Sequence, residues 1–144
     1  MTRHGDRSSR SIGVGDALDP LVLEMTPTRI VAGALATRDF MPVHHDRDYA
    51  ISQGAPDIFM NIISTNAYCS RFLTDWAGPD AMIRKLSIRL GVPALPGLPL
   101  TFTGNVAGKT QAGEEIMIDV EFRATNSLGD HVTGTASLSL PLPS

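Results

Sequence analysis

At 144 residues, 42% apolar and 19% charged, the chain has the size and composition of one globular domain, able to bury about two-thirds of the surface its unfolded form exposes. Twelve basic against 15 acidic residues leave a net charge of −3, which excludes a whole-chain field that would draw nucleic acid or an anionic membrane. A single cysteine excludes an internal disulfide, no apolar run approaches the ~20 residues of a spanning helix, and the amino end lacks signal-peptide order, so cytoplasm is the expected compartment.

Residues 1 to 18 hold three arginines, three glycines and several serines without a hydrophobic period, the composition of a flexible tail, so the folded domain is expected over 19–144. Arg29 to Leu35 is short and weakly β-prone behind Pro27, and reads as a first strand. Asp46 to Ala50 opens with an acidic cap candidate and reads as a short helix ended by Gly54 to Asp57. From Ile58 to Trp76 neither Pro nor Gly occurs. Phe59, Ile62, Ile63, Asn66, Ala67, Ser70 and Leu73 recur there at three- and four-residue spacing, which predicts a long buried helix with Asp57 as N-cap and Gly78-Pro79 as stop. Beyond Pro79 the period becomes two. Strands are expected over Ile83–Val92, Leu100–Val106, Glu115–Asn126 and His131–Leu140, with a hairpin signal at Asn126 to Asp130. One strand, one long helix and four consecutive strands predict an α+β domain, a single hotdog fold whose antiparallel sheet wraps one central helix.

Residues 39 to 50, Asp-Phe-Met-Pro-Val-His-His-Asp-Arg-Asp-Tyr-Ala, carry the candidate chemistry. Alone, Asp39 would serve as a cap and His44 as an ordinary histidine; together, braced by Pro42 and placed before a long helix, they form a candidate acid–base pair. His45 and Asp46 invite a metal reading, but adjacent side chains diverge and no further ligands complete a shell, so no metal is expected. Cys69, inside the apolar helix, reads as a small core residue rather than a nucleophile. Gly13-Val14-Gly15 lacks the strand-to-helix context of a nucleotide loop. Arg84, Lys85 and Arg89 alternate with apolar residues as a strand's solvated face does.

Asp39-x-x-Pro42-Val43-His44 followed by five residues and Ala50 resembles the signature of the MaoC-like, R-specific enoyl-CoA hydratases, Asp-x-Asn-Pro-apolar-His-x5-Ala on a hotdog fold. Ala36 to Phe40, Val43 to Asp48, Asp57 to Phe59, Thr74 to Pro79 and Leu128 to Thr133 resemble, more narrowly, the small catalytic subunit of actinobacterial steroid side-chain enoyl-CoA hydratases. The resemblance implies that Asp39 and His44 hold and activate a water for addition to a 2-enoyl-CoA, and return a proton to its α-carbon. It also implies a backbone donor for the thioester oxygen at Asn61, where the family has glycine. Met41 and Met60 depart from the family pattern and are taken as substrate-facing, and Arg84 as a contact for CoA phosphates. The implied acyl group is a steroid side chain from cholesterol catabolism. The implied partners are a second, non-catalytic MaoC-like subunit in a heterotetramer and a downstream aldolase, with no cofactor beyond the CoA of the substrate. A thioesterase on the same fold and a non-catalytic hotdog subunit are the alternatives.

Overall fold

The computed structural model describes residues 11 to 143, where the chain enters through a short strand, β1 (Leu21–Leu23), and turns at Thr26 into helix α1 (Pro27–Ala36). Residues 29–35, expected to be a strand, are therefore helical. Thr26 takes the Arg29 N–H on its side chain, Pro27 supplies a preset φ in the first turn, and Ile30 and Ala34, four apart, are the buried positions. A capped start outweighs the weak β-preference of Ile30-Val31. Residues 11 to 18, grouped with the tail by composition, run along the sheet: Ile12 and Leu18 are buried and Val106 exchanges backbone hydrogen bonds with Gly15 and Asp16. The rest of the expected tail, residues 1 to 10, lies outside the described residues.

A single 3-10 turn, Pro42–His44, leads to α2 (Arg47–Ser52), whose cap Asp46 accepts from the Tyr49 N–H as expected. The long helix, α3 (Ile62–Ala77), starts four residues later than its Pro/Gly-free stretch suggests. Asp57 does not cap it, because Asp57 Oδ1 accepts from the adjacent Ile58 N–H at 2.7 Å. Residues 58 to 61 stay outside the helix, held by Phe59 N–H to Val43 O and Met60 N–H to Ala94 O. The helix stops at Gly78, φ 91°, where glycine was expected to end it.

Strands β2 (Met82–Leu90), β3 (Leu100–Ala112), β4 (Glu115–Asn126) and β5 (Gly129–Pro141) follow, and the antiparallel sheet has the order β1-β3-β4-β5-β2. Ile116, Ile118, Val120, Phe122 and Ala124 alternate inward along β4, and α3 lies against this face through Thr65, Cys69, Phe72, Leu73 and Trp76. The buried stripe of α3 thus differs in phase from the expected one. Ile62 and Ile63 are exposed, while Ser64 and Thr65 are buried. Phe122 stands in register between Gly104 and Gly134, and Phe72 packs on Phe102 and Phe122 with centroids 5.7 and 6.3 Å away. The glycines make room for these rings: a Cβ on Gly134 would meet Phe122 Cζ at 2.5 Å and Ser87 O at 2.8 Å. No helix among the described residues is long and apolar enough to cross a membrane.

His131 on β5 ties the sheet to the first turns of α3. Its Nδ1 donates to Val92 O at 2.7 Å, so its Nε2 accepts from the Thr65 hydroxyl at 2.8 Å. Burial pushes its pKa below the ordinary 6.5, against the opposing pull of the Val92 carbonyl. The unfolded chain takes up this proton first as pH falls, so stability drops below pH 6.5. Thermal melts between about pH 7.5 and 5.5 should show Tm falling with pH, with a shallower slope in His131→Gln. Gly134→Ala should lower stability by about 1–3 kcal/mol in urea unfolding, because Ser87 O is backbone and cannot swing aside.

Candidate active site

Helix α1 aims Asp39. Past its last residue, Ala36, Arg38 takes a left-handed conformation, φ 57°, and its N–H bonds Leu35 O while the Asp39 N–H bonds Ala34 O at 2.9 Å. This closure normally carries glycine, and Arg38 bears the steric cost of a Cβ there. The chain then reverses into the Pro42–His44 turn, with the Met41 N–H reaching Asp39 Oδ1 at 3.3 Å.

His44 is buried and oriented from two sides. Its Nδ1 lies 2.7 Å from Phe59 O, and its ring meets the Phe59 ring edge-on at 5.0 Å. A carbonyl only accepts, so Nδ1 carries the hydrogen and Nε2 is the one ring atom left to take or give a proton. Nε2 faces Asp39 Oδ2 at 3.3 Å. The two sequence-predicted catalytic residues are thus in contact, with the carboxylate side chain about one-quarter exposed and the imidazole nearly covered.

Asn61 is the N-cap of α3, yet no side chain caps that helix. The Asn61 Nδ2 instead donates to Asp39 Oδ2 at 3.1 Å and to Thr37 Oγ1 at 2.9 Å. Its backbone stands at the positive end of the α3 dipole, where an oxyanion donor was expected. The side-chain contact with Asp39 was not expected. Its sequence signal was an amide in the glycine position of the family pattern.

Met41 is half exposed, whereas Met60 belongs to the hydrophobic core and is 4% exposed. Arg84 is engaged elsewhere: its Nε donates to Ser139 Oγ at 2.8 Å and its Nη2 to Glu115 Oε1 at 2.9 Å. His45 lies 3.4 Å from Phe40 O and Asp46 caps α2, so neighbours in sequence have separate structural tasks. Burial raises the Cys69 thiol to about 12, which leaves it protonated and inert. Sequence reading also missed that Leu35, Phe40 and Met41, close to Asp39 in the chain, and Ile62 and Ile63, next to Asn61, are exposed apolar side chains; Phe40 is 63% exposed.

No protein-family model matches the chain. It is 48% identical over 127 residues to the 3-oxo-4,17-pregnadiene-20-carboxyl-CoA hydratase beta subunit of Mycobacterium tuberculosis, covering 88% of this chain and 95% of that protein. It superposes on the ChsH1-ChsH2 complex from Mycobacterium tuberculosis with a TM-score of 0.83 and 48% identity, covering 89% of this chain and 98% of the matched one. The (R)-hydratase from A. caviae involved in PHA biosynthesis shares the fold, with a TM-score of 0.81 at 20% identity over 94% of this chain and all of that one.

Arg38→Gly should relieve the left-handed strain and raise stability by about 1 kcal/mol, read as a Tm higher by a few degrees.

Proposed function

The chain belongs to the family of the 3-oxo-4,17-pregnadiene-20-carboxyl-CoA hydratase beta subunit, on the hotdog fold of the MaoC-like hydratases, and we propose that it is a catalytic subunit adding water to the double bond of a steroid side-chain 2-enoyl-CoA. The observation that carries this reading is the contact between Asp39 Oδ2 and His44 Nε2, with Nδ1 held on Phe59 O beside the start of α3. A water bound by this pair gives up a proton to it as the oxygen bonds the β-carbon. Electrons move from the double bond to the thioester carbonyl, and the enolate so formed takes a proton back from the pair at its α-carbon. Charge on the thioester oxygen is met by the backbone at Asn61 and the α3 dipole. No cofactor beyond the CoA of the substrate is needed for this step, and a CoA ester as substrate suits a cytoplasmic enzyme.

The exposed side chains of Leu35, Phe40, Met41, Ile62 and Ile63 support a large apolar acyl group roofed by a second hotdog subunit. Met41 is one of them and is the methionine best placed to touch the acyl group, while Met60 supports the loop from beneath. A downstream aldolase that cleaves the hydrated side chain is the further partner of this reading.

Asp39→Ala and His44→Ala should each lower kcat/KM for hydration about 10²–10⁴-fold in the assembly purified from its host through this chain, followed as loss of enoyl-thioester absorbance. Hydration at the wild-type rate in both variants would overturn the assignment, and release of free thiol without hydration would favour a thioesterase.

A further inference from the structure

We propose that the Asn61 carboxamide is a positioning residue, one that fixes the Asp39 carboxylate against His44 through a one-way hydrogen-bond relay from the end of α1. The proposal rests on the reading of Asp39 and His44 as the working pair. Asparagine is a favoured N-cap because its side-chain oxygen accepts from the second or third amide of the helix. Asn61 makes no such bond, and its Oδ1 is buried with no partner. Local stability is forgone twice, by an uncapped helix and by an unsatisfied buried acceptor. What the arrangement secures is the placement of the two Nδ2 hydrogens.

Those hydrogens define a direction. The Thr37 hydroxyl donates to Gly33 O at 2.8 Å, with Ala34 O at 3.1 Å, so its oxygen is left to accept from Asn61 Nδ2. The second Nδ2 hydrogen then points to Asp39 Oδ2, the same oxygen that faces His44 Nε2. Flipping the amide would set its oxygen against a carboxylate, so the relay has one polarity. Asp39 Oδ1 is tied separately to the Met41 N–H at 3.3 Å, so the carboxylate is held at both oxygens while Oδ2 faces the imidazole. Removing Asn61 Nδ2 frees Oδ2 to rotate away from Nε2, and misplacement on the ångström scale costs turnover rather than substrate binding.

Asn61→Ser tests this, since serine keeps the backbone N–H and caps the helix better while its hydroxyl cannot span both Thr37 and Asp39. In the assembly purified through this chain, kcat for 2-enoyl-CoA hydration should fall about 10–100-fold with KM within about twofold and Tm equal or higher. Thr37→Val should lower kcat less, and Thr37→Ser, which restores the hydroxyl, should recover it. In an Asp39→Ala background Asn61→Ser should have no further effect on the residual rate, as members of one unit are not additive. A wild-type kcat in Asn61→Ser overturns the proposal. So does a loss that appears in KM, or one that follows a lowered Tm. If Asn61→Ser does not fold, the contrast between Thr37→Val and Thr37→Ser decides. Full activity in Asp39→Ala would instead remove the underlying reading of the pair.

Discussion

The hydrogen bond from His44 Nδ1 to Phe59 O holds the site together. It joins the loop after α1 to the non-helical segment before α3, and by choosing the imidazole tautomer it leaves Nε2 facing Asp39. The bond exists only because residues 58 to 61 are not helical, since a helical Phe59 carbonyl would be turned to its own helix four residues on. Late nucleation of α3 is therefore a condition of the Asp39–His44 arrangement. The backbone bonds of Phe59 to Val43 and Met60 to Ala94 enforce it from both sides.

What was legible in the sequence was whatever depends on period or on a short rigid spacing. The four long strands were placed by their period of two, which is regular in β4, although β3 runs on to Ala112, past the expected Val106 and a register shift at Val106/Gly108, and α3 ended where glycine permits φ 91°. Asp39 and His44 were findable because Pro42 leaves little freedom between them. The start of α1 was hidden because its signal is a cap, Thr26-Pro27, placed before a β-branched pair that suggests a strand. The buried phase of α3 was misread for a different reason. Hydrophobicity marks Ile62 and Ile63 as core, yet Ser64 and Thr65 face inward, Thr65 to meet His131 and Ser64 near Gly33, where a Cβ would stand 2.6 Å from Ser64 Oγ. Helices that approach this closely require small residues at the contact, so size decided the phase and polarity did not.

Local rules fail in one neighbourhood. Arg38, next to Asp39 in the chain, takes a glycine's conformation; Asn61, whose side chain bonds Asp39, caps nothing; and Asn61 Oδ1 and, three residues on, Ser64 Oγ are buried without partners. Elsewhere the chain obeys its propensities, with capped starts to α1 and α2 and regular alternation in β4. Concentrated inconsistency of this kind is what a functional site leaves in a fold otherwise selected for stability.

The exposed apolar side chains extend this argument from the chain to its assembly. Leu35, Phe40, Met41, Ile62 and Ile63 are exposed and lie close in the chain to Asp39 and Asn61, and the chemistry proposed for the Asp39–His44 pair is favoured when bulk water is kept out. Open aliphatic and aromatic side chains cannot exclude water unaided. They can when a large apolar acyl group and a second subunit lie against them, because the same contacts that bury them dry the pair. On the proposed function, turnover would then depend on assembly through desolvation, even where a partner contributes no reacting group.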